Sequence, residues 1–288
     1  MKTRIISAAV MITLVVAILT LGYKVNTNII TVFIALLAAA ATYEIMHHIV
    51  KTGTIIRKAL ACIYSVVSFF LVSGIFHGMY DFLVKNLPFD AKKISVYITW
   101  LVYITILYAV MFTLSVIYQK NEFNITEIFA LLGVPLVYSA AFASLECIIT
   151  KPQGIYYLLL VINFSSICDT GAYFTGVFFG KNKLCEHVSP KKTVEGAIGG
   201  IAASLIVTVI LVFSFKAPAN LFIMLLVTVV MCIIGMLGDL SASIIKRSVG
   251  VKDYSNLIPG HGGILDRFDS MLFISPAMLS VMLLGVVR

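Results

Sequence analysis

Between Gly238 and Ser270 the chain gathers the residues most able to do chemistry. Asp239, Asp253, Asp266 and Asp269 are four of its seven aspartates, and Lys246, Arg247, Lys252 and Arg267 stand among them. His261 lies in a Pro-Gly-His-Gly-Gly turn. Carboxylates held together suit a hard cation such as Mg²⁺, and lysines and arginines beside them suit phosphate oxygens. These are the parts needed for phosphoryl or nucleotidyl transfer. The three-residue spacing of Asp266 and Asp269 predicts one shared face if the segment is helical. Gly262 and Gly263 let backbone come close to a ligand.

A second polar group lies upstream. Asp169 sits in an otherwise apolar run, where a carboxylate must face a cavity, a cation or a basic partner. Lys181 and Lys183 follow, but Gly176 to Lys181 is one residue short of a phosphate-binding GxxxxGK loop, so that motif is rejected. Ser189-Pro190-Lys191-Lys192-Thr193 predicts a helix start, with Ser189 as cap and Pro190 in the first position. Lys191 and Lys192 would then crowd the positive end of the helix dipole, a conflict that a bound phosphate would relieve. The alternative is that these lysines only set membrane topology.

The elements that must position these groups are membrane spans. Of 288 residues 60% are hydrophobic and 12% charged, against about 25% charged in a soluble domain. Mean hydropathy is +1.05. The composition excludes an ordinary soluble fold, and with no soluble basic domain the net charge of +8 does not indicate nucleic-acid binding. Apolar runs predict an all-α polytopic bundle with about nine spans, near 5–22, 28–49, 57–78, 96–118, 126–148, 154–178, 197–215, 220–245 and 268–287. The first run is read as a span rather than a cleaved leader. Residues 1–150 form an N-terminal set of about five spans. Residues 151–288 form the region carrying both polar groups, within one continuous membrane domain. A cytoplasmic N-terminus places most lysines and arginines inside, including those at 181–192 and 246–267. The five scattered cysteines form no metal or redox motif. Glu44 and His48, four apart on the second span, share a helix face; they read as an interfacial pair or, alternatively, a headgroup contact.

The residues then carry a resemblance. Ser243-Ile-Ile-Lys246-Arg247, Lys252-Asp253-Tyr254-Ser255 and Pro259-Gly-His261-Gly-Gly-Ile-Leu-Asp266-Arg267-Phe-Asp269 are similar to the C-terminal signature of the phosphatidate cytidylyltransferases. Asp169-Thr-Gly-Ala-Tyr173 and Ser189-Pro-Lys-Lys-Thr-Val-Glu-Gly196 resemble that family's upstream segments. The resemblance implies transfer from CTP to phosphatidic acid, giving CDP-diacylglycerol and pyrophosphate. It implies an integral membrane homodimer among membrane lipids, set in a bacterial inner membrane with its active site facing the cytoplasm. It implies Mg²⁺, with K⁺ as a second cation, held by Asp239, Asp266 and Asp269. The expected catalytic groups are Asp169, Lys191, Lys192, Lys246, Arg247, Lys252, His261 and Arg267. Substrate contacts are expected from Ser189, Lys191, Lys192, Thr193, Lys246, Arg247, Lys252, Gly262 and Gly263. The rival readings are an ion-coupled transporter and a CTP-dependent enzyme acting on a different membrane lipid.

Overall fold

The computed structural model describes residues 2–49, 55–85, 97–108, 125–185, 189–217 and 220–285. They form an all-α polytopic membrane protein. Its helices are α1 (Lys2–Lys24), α2 (Asn28–Ile49), α3 (Ile55–Leu83), α4 (Tyr97–Tyr108), α5 (Ile125–Thr150), α6 (Gly154–Ile162), α7 (Cys168–Phe179), α8 (Val194–Phe215), α9 (Leu221–Ser248), α10 (Leu265–Phe268) and α11 (Met271–Leu283). A π-helical turn, Asn163–Ile167, joins α6 to α7, so that 154–179 is one run. Strands β1 (Lys183–Cys185) and β2 (Ser189–Thr193) form an antiparallel hairpin.

Among the described residues, seven helices are long and apolar enough to cross a membrane. Two of the nine expected spans are shorter here. The fourth is described only as Tyr97–Tyr108, its remainder lying outside the described residues, and the ninth is the 13-residue α11.

The chain divides into two compact units, Met1–Thr150 with Asp253–Arg267, and Lys151–Lys252 with Phe268–Arg288. In the first, α2, α3 and α5 pack on one another. Their contact is studded with satisfied polar groups, as burial in a lipid-facing bundle demands. Ser65 Oγ bonds Thr42 Oγ1 at 3.0 Å and Ser139 Oγ at 3.1 Å. Glu146, 2% exposed, accepts from Thr31 Oγ1 at 2.7 Å and Ser73 Oγ at 2.8 Å, and lies 3.1 Å from His77 Nε2.

The second unit is built on the crossing of α7 and α8. Small residues allow it: a Cβ on Gly171 would stand 2.8 Å from that of Ala203, and one on Gly200 would stand 2.5 Å from the Cys168 carbonyl. Backbones that approach this closely are how helices associate where lipid removes the hydrophobic drive. The π-turn is pinned to α8 by Asn163, whose Nδ2 donates to Ser204 O and Thr208 Oγ1, both at 3.0 Å. An extra backbone residue in a turn shifts the phase of the side chains that follow, a device common at functional sites. Asp169 is the second residue after it.

Candidate active site

The hairpin corrects the expected helix start at Ser189. Residues Ser189–Thr193 are extended, with Cys185 opposite Ser189 and Lys183 opposite Thr193. Lys183 Nζ donates to the Pro190 carbonyl at 2.8 Å. The helix begins at Val194, and Thr193 is its cap, accepting from Gly196 N at 3.1 Å. The first turn therefore holds Glu195 rather than two lysines, in accord with the helix dipole. Glu195 also clamps the hairpin, accepting from Lys181 N at 3.1 Å and Asn182 Nδ2 at 2.7 Å. Ser189, Lys191 and Lys192 therefore stand on a strand rather than on the first turn of a helix.

They border a cavity of about 590 Å³ in the second unit. Its lining includes Asp169, Tyr173 and Gly176 of α7, Met236 and Asp239 of α9, Gly196 and Ala197 of α8, and the hairpin residues Lys183, Leu184, Ser189, Lys191, Lys192 and Thr193. Lys192 Nζ is in direct ion-pair contact with Asp239 Oδ2. Asp239 lies where α9 approaches the start of α11: a Cβ on Gly238 would come within 3.2 Å of the Asp269 carbonyl oxygen. Asp269 Oδ2 is 3.9 Å from Lys246 Nζ, and Oδ1 accepts from Ser270 N at 2.7 Å. Asp239 thus links the cavity to Asp269 at the start of α11. Burial, then the Asp239 charge, push the Asp269 carboxyl up to about 7.

Of the other basic residues expected here, Arg247 Nη1 donates to Val251 O at 3.3 Å, closing the end of α9, and Lys252 is exposed.

The remaining signature residues belong to the first unit, within 253–267. Asp266 lies in the first unit. It is 7% exposed, and its Oδ2 accepts from Tyr254 N at 2.8 Å and Gly263 N at 2.9 Å. The shared helix face expected for Asp266 and Asp269 does not form, because α10 ends at Phe268 and Asp269 lies in the turn beyond it. Gly262 takes φ +88°, a conformation that side chains disfavour, and Gly263 leaves room for a carboxylate: a Cβ there would lie 2.5–2.7 Å from that of Glu44. In the first unit, then, the close approach that these glycines permit is made by protein carboxylates. His261 Nδ1 lies 2.8 Å from Ser7 Oγ, which donates to the Pro259 carbonyl at 3.0 Å. Arg267 is exposed on the one-turn helix.

Three groups have positioning roles that sequence reasoning did not assign. Thr193, expected as a substrate contact, is a helix cap, and the clamp made by Glu195 was hidden by the more obvious Ser-Pro signal. Glu44, 5% exposed, holds the 253–267 loop together with His48, whose Nε2 donates to Tyr254 O at 2.5 Å. The four-residue spacing of Glu44 and His48 was the available clue, but nothing local names their distant partners.

Among the described residues, no group of three or more His, Cys, Asp or Glu side chains could hold a metal ion by itself. The cluster nevertheless suits Mg²⁺. That ion commonly takes only one or two carboxylates and completes its shell with water and substrate phosphates. Asp169 and Asp239, which border the open cavity, are oxygen donors of the kind that ion takes.

Comparison with known proteins fits this chemistry. The profile of the cytidylyltransferase family matches residues 2–284. A phosphatidate cytidylyltransferase of Staphylococcus haemolyticus is 41% identical over 167 residues, 58% of this chain and 63% of its own length. The proteins of that name from Staphylococcus saprophyticus and Staphylococcus aureus are 38% and 41% identical over 169 and 167 residues. The match thus covers a little under two thirds of each of these relatives.

Proposed function

Because the chain belongs to the cytidylyltransferase family, we propose that it converts CTP and phosphatidic acid into CDP-diacylglycerol and pyrophosphate. The observation that carries this reading is the cavity of the second unit, where Asp169 and Asp239 face Lys191 and Lys192. Acids and bases lining an open space of this size suit a polyphosphate better than an apolar ligand.

A phosphate oxygen of phosphatidic acid attacks the α-phosphorus of CTP. The new P–O bond forms as the bond to the bridging oxygen breaks, and pyrophosphate leaves with that electron pair. The nucleophile is already anionic, so no strong base is needed, and catalysis is positioning plus charge neutralisation. Asp239 and Asp269, joined by Asp169, would hold Mg²⁺, with K⁺ as a second cation. The bound cation would neutralise charge on the nucleotide phosphates. Lys191 and Lys192 hold phosphate oxygens on the hairpin side, while Lys246 orients Asp269. Ser189 is placed to donate to a phosphate oxygen. Arg267 and Lys252 are assigned to substrate phosphates, His261 to the cytosine, a phosphate or the backbone, Asp266 to the metal, and Gly262 and Gly263 to substrate contacts, all on the family resemblance alone.

We further take the two shorter apolar helices as spans, making nine, with the N-terminus in the cytoplasm. The hairpin and the 249–270 segment then face the cytoplasm, where CTP is found, and phosphatidic acid arrives laterally from the inner leaflet of a bacterial plasma membrane. A homodimer follows from the same resemblance. The deciding experiment is purified protein in detergent, incubated with labelled CTP, Mg²⁺ and a panel of lipid acceptors. Label should enter the lipid fraction with phosphatidic acid and release pyrophosphate. Transfer to a polyprenol or an ether lipid instead would move the substrate, and CTP-independent ion flux in liposomes would replace the enzyme with a transporter.

A further inference from the structure

The Glu44 carboxylate spends its hydrogen-bonding capacity on one target. Oε1 accepts from Ser255 Oγ at 2.6 Å and Ile264 N at 2.9 Å, while Oε2 accepts from Leu265 N at 2.8 Å. These three donors come from both arms of the 253–267 loop, more than 200 residues away in sequence. One turn further along α2, His48 takes the Tyr254 carbonyl. Asp266 then ties the two arms to each other through Tyr254 N and Gly263 N. The loop has little regular structure of its own: one isolated bridge, Ile258 to Gly262, and the single turn of α10. A glycine-rich segment with so few backbone bonds costs much entropy to hold in one shape.

We propose that Glu44 is a positioning residue for the signature loop, a bracket on α2 that fixes the direction in which α10 presents Arg267. The proposal rests on the reading that the loop serves nucleotidyl transfer. Three observations favour a bracket over a generic core contact. The bonded N–H groups of Ile264 and Leu265 immediately precede Asp266 and Arg267, so the carboxylate sets the orientation of that turn. Gly263 is open on the side facing Glu44, where any side chain would collide with the carboxylate. Charge-assisted hydrogen bonds are also about twice as strong as neutral ones, so an ionised acid is the side chain suited to this task.

The test compares Glu44→Gln and Ser255→Ala with the parent protein. Peptide-level hydrogen exchange, Tm in detergent, and kcat and KM for CTP and phosphatidic acid are measured. Glu44→Gln puts an amide NH₂ against a backbone donor. Exchange at Ile264 and Leu265 should rise at least about tenfold, the scale of one lost charge-assisted bond. Exchange in α3 and α5 and Tm should hold, and kcat should fall with KM changed less. Ser255→Ala should shift loop exchange in the same direction by less. Unchanged loop exchange in Glu44→Gln overturns the bracket. A uniform rise across the first unit, with Tm and kcat falling together, overturns it in favour of a bulk stability role. Faster loop exchange with kcat intact overturns the link to turnover. If the parent protein forms no liponucleotide, the enzymatic reading fails instead, and the exchange result still decides whether Glu44 holds the loop.

Discussion

The acids of the two units are treated in opposite ways: Glu44, Glu146 and Asp266 of the first are buried, whereas Asp169 of the second is exposed and Asp239 and Asp269 are half-buried. In the first unit, Glu44, Glu146 and Asp266 are each surrounded by donors from the protein: hydroxyls, a histidine and backbone N–H groups. In the second, Asp169 and Asp239 border an open cavity with Lys191 and Lys192, Asp239 pairs with Lys192, and Asp269 lies 3.9 Å from Lys246. An acid whose lone pairs are filled by its own protein is architecture, since removing a partner leaves a costly buried group. Like charges gathered beside a cavity are costly unless something else binds there. The contrast separates acids satisfied by their own protein from acids set beside open space and lysines, though composition makes them look alike.

The comparison can be broken most sharply at Asp239. Asp239→Asn should lower liponucleotide formation by roughly 10²–10³-fold, the scale of losing one preorganised charge at a reacting centre, while Tm in detergent stays near that of the parent. Activity within a few-fold of the parent would remove the chemical role of the acidic group. Next in size is Lys192→Met, expected to cost about 10- to 100-fold, in line with one charge-assisted bond. Combined with Asp239→Asn, it should cost much less than the product of the two single effects, because the residues are in contact. Full additivity in that cycle would mean they act separately. The smallest effect on turnover belongs to Glu146→Gln. It should lose about 1–3 kcal/mol of stability, from the mismatch with its hydroxyl and histidine donors, and show as a lower Tm. Activity per folded molecule should not change. A selective fall in kcat there would blur the division between the two kinds of acid.

Helix α2 appears at 28–49 as its hydropathy predicts, and α5 and α8 lie close to their expected bounds, because a span needs only a run of apolar residues of sufficient length. The π-turn was not legible: the polar Asn163-Phe-Ser-Ser run is compatible with several helical pitches, and Asn163 chooses one by bonding α8. Ser189 shows the limit of a local rule. Ser-Pro is a sound helix-start signal, but pairing with Lys183–Cys185 outweighs it, and the cap passes to Thr193 four residues later.

The amino-acid sequence by itself determined that this is a polytopic helical membrane protein and that its acids, bases and glycines gather in two polar segments. Those properties follow from composition and local order, which any fold of the chain must keep. Only the tertiary structure decided which acids stand together. Asp266 and Asp269 are three residues apart, yet one braces a loop and the other joins Asp239 and Asp169. Glu44 reaches donors more than 200 residues away. A carboxylate's role is set by the donors and charges within a few ångströms of it, and across a folded chain those neighbours come from segments that sequence distance does not relate.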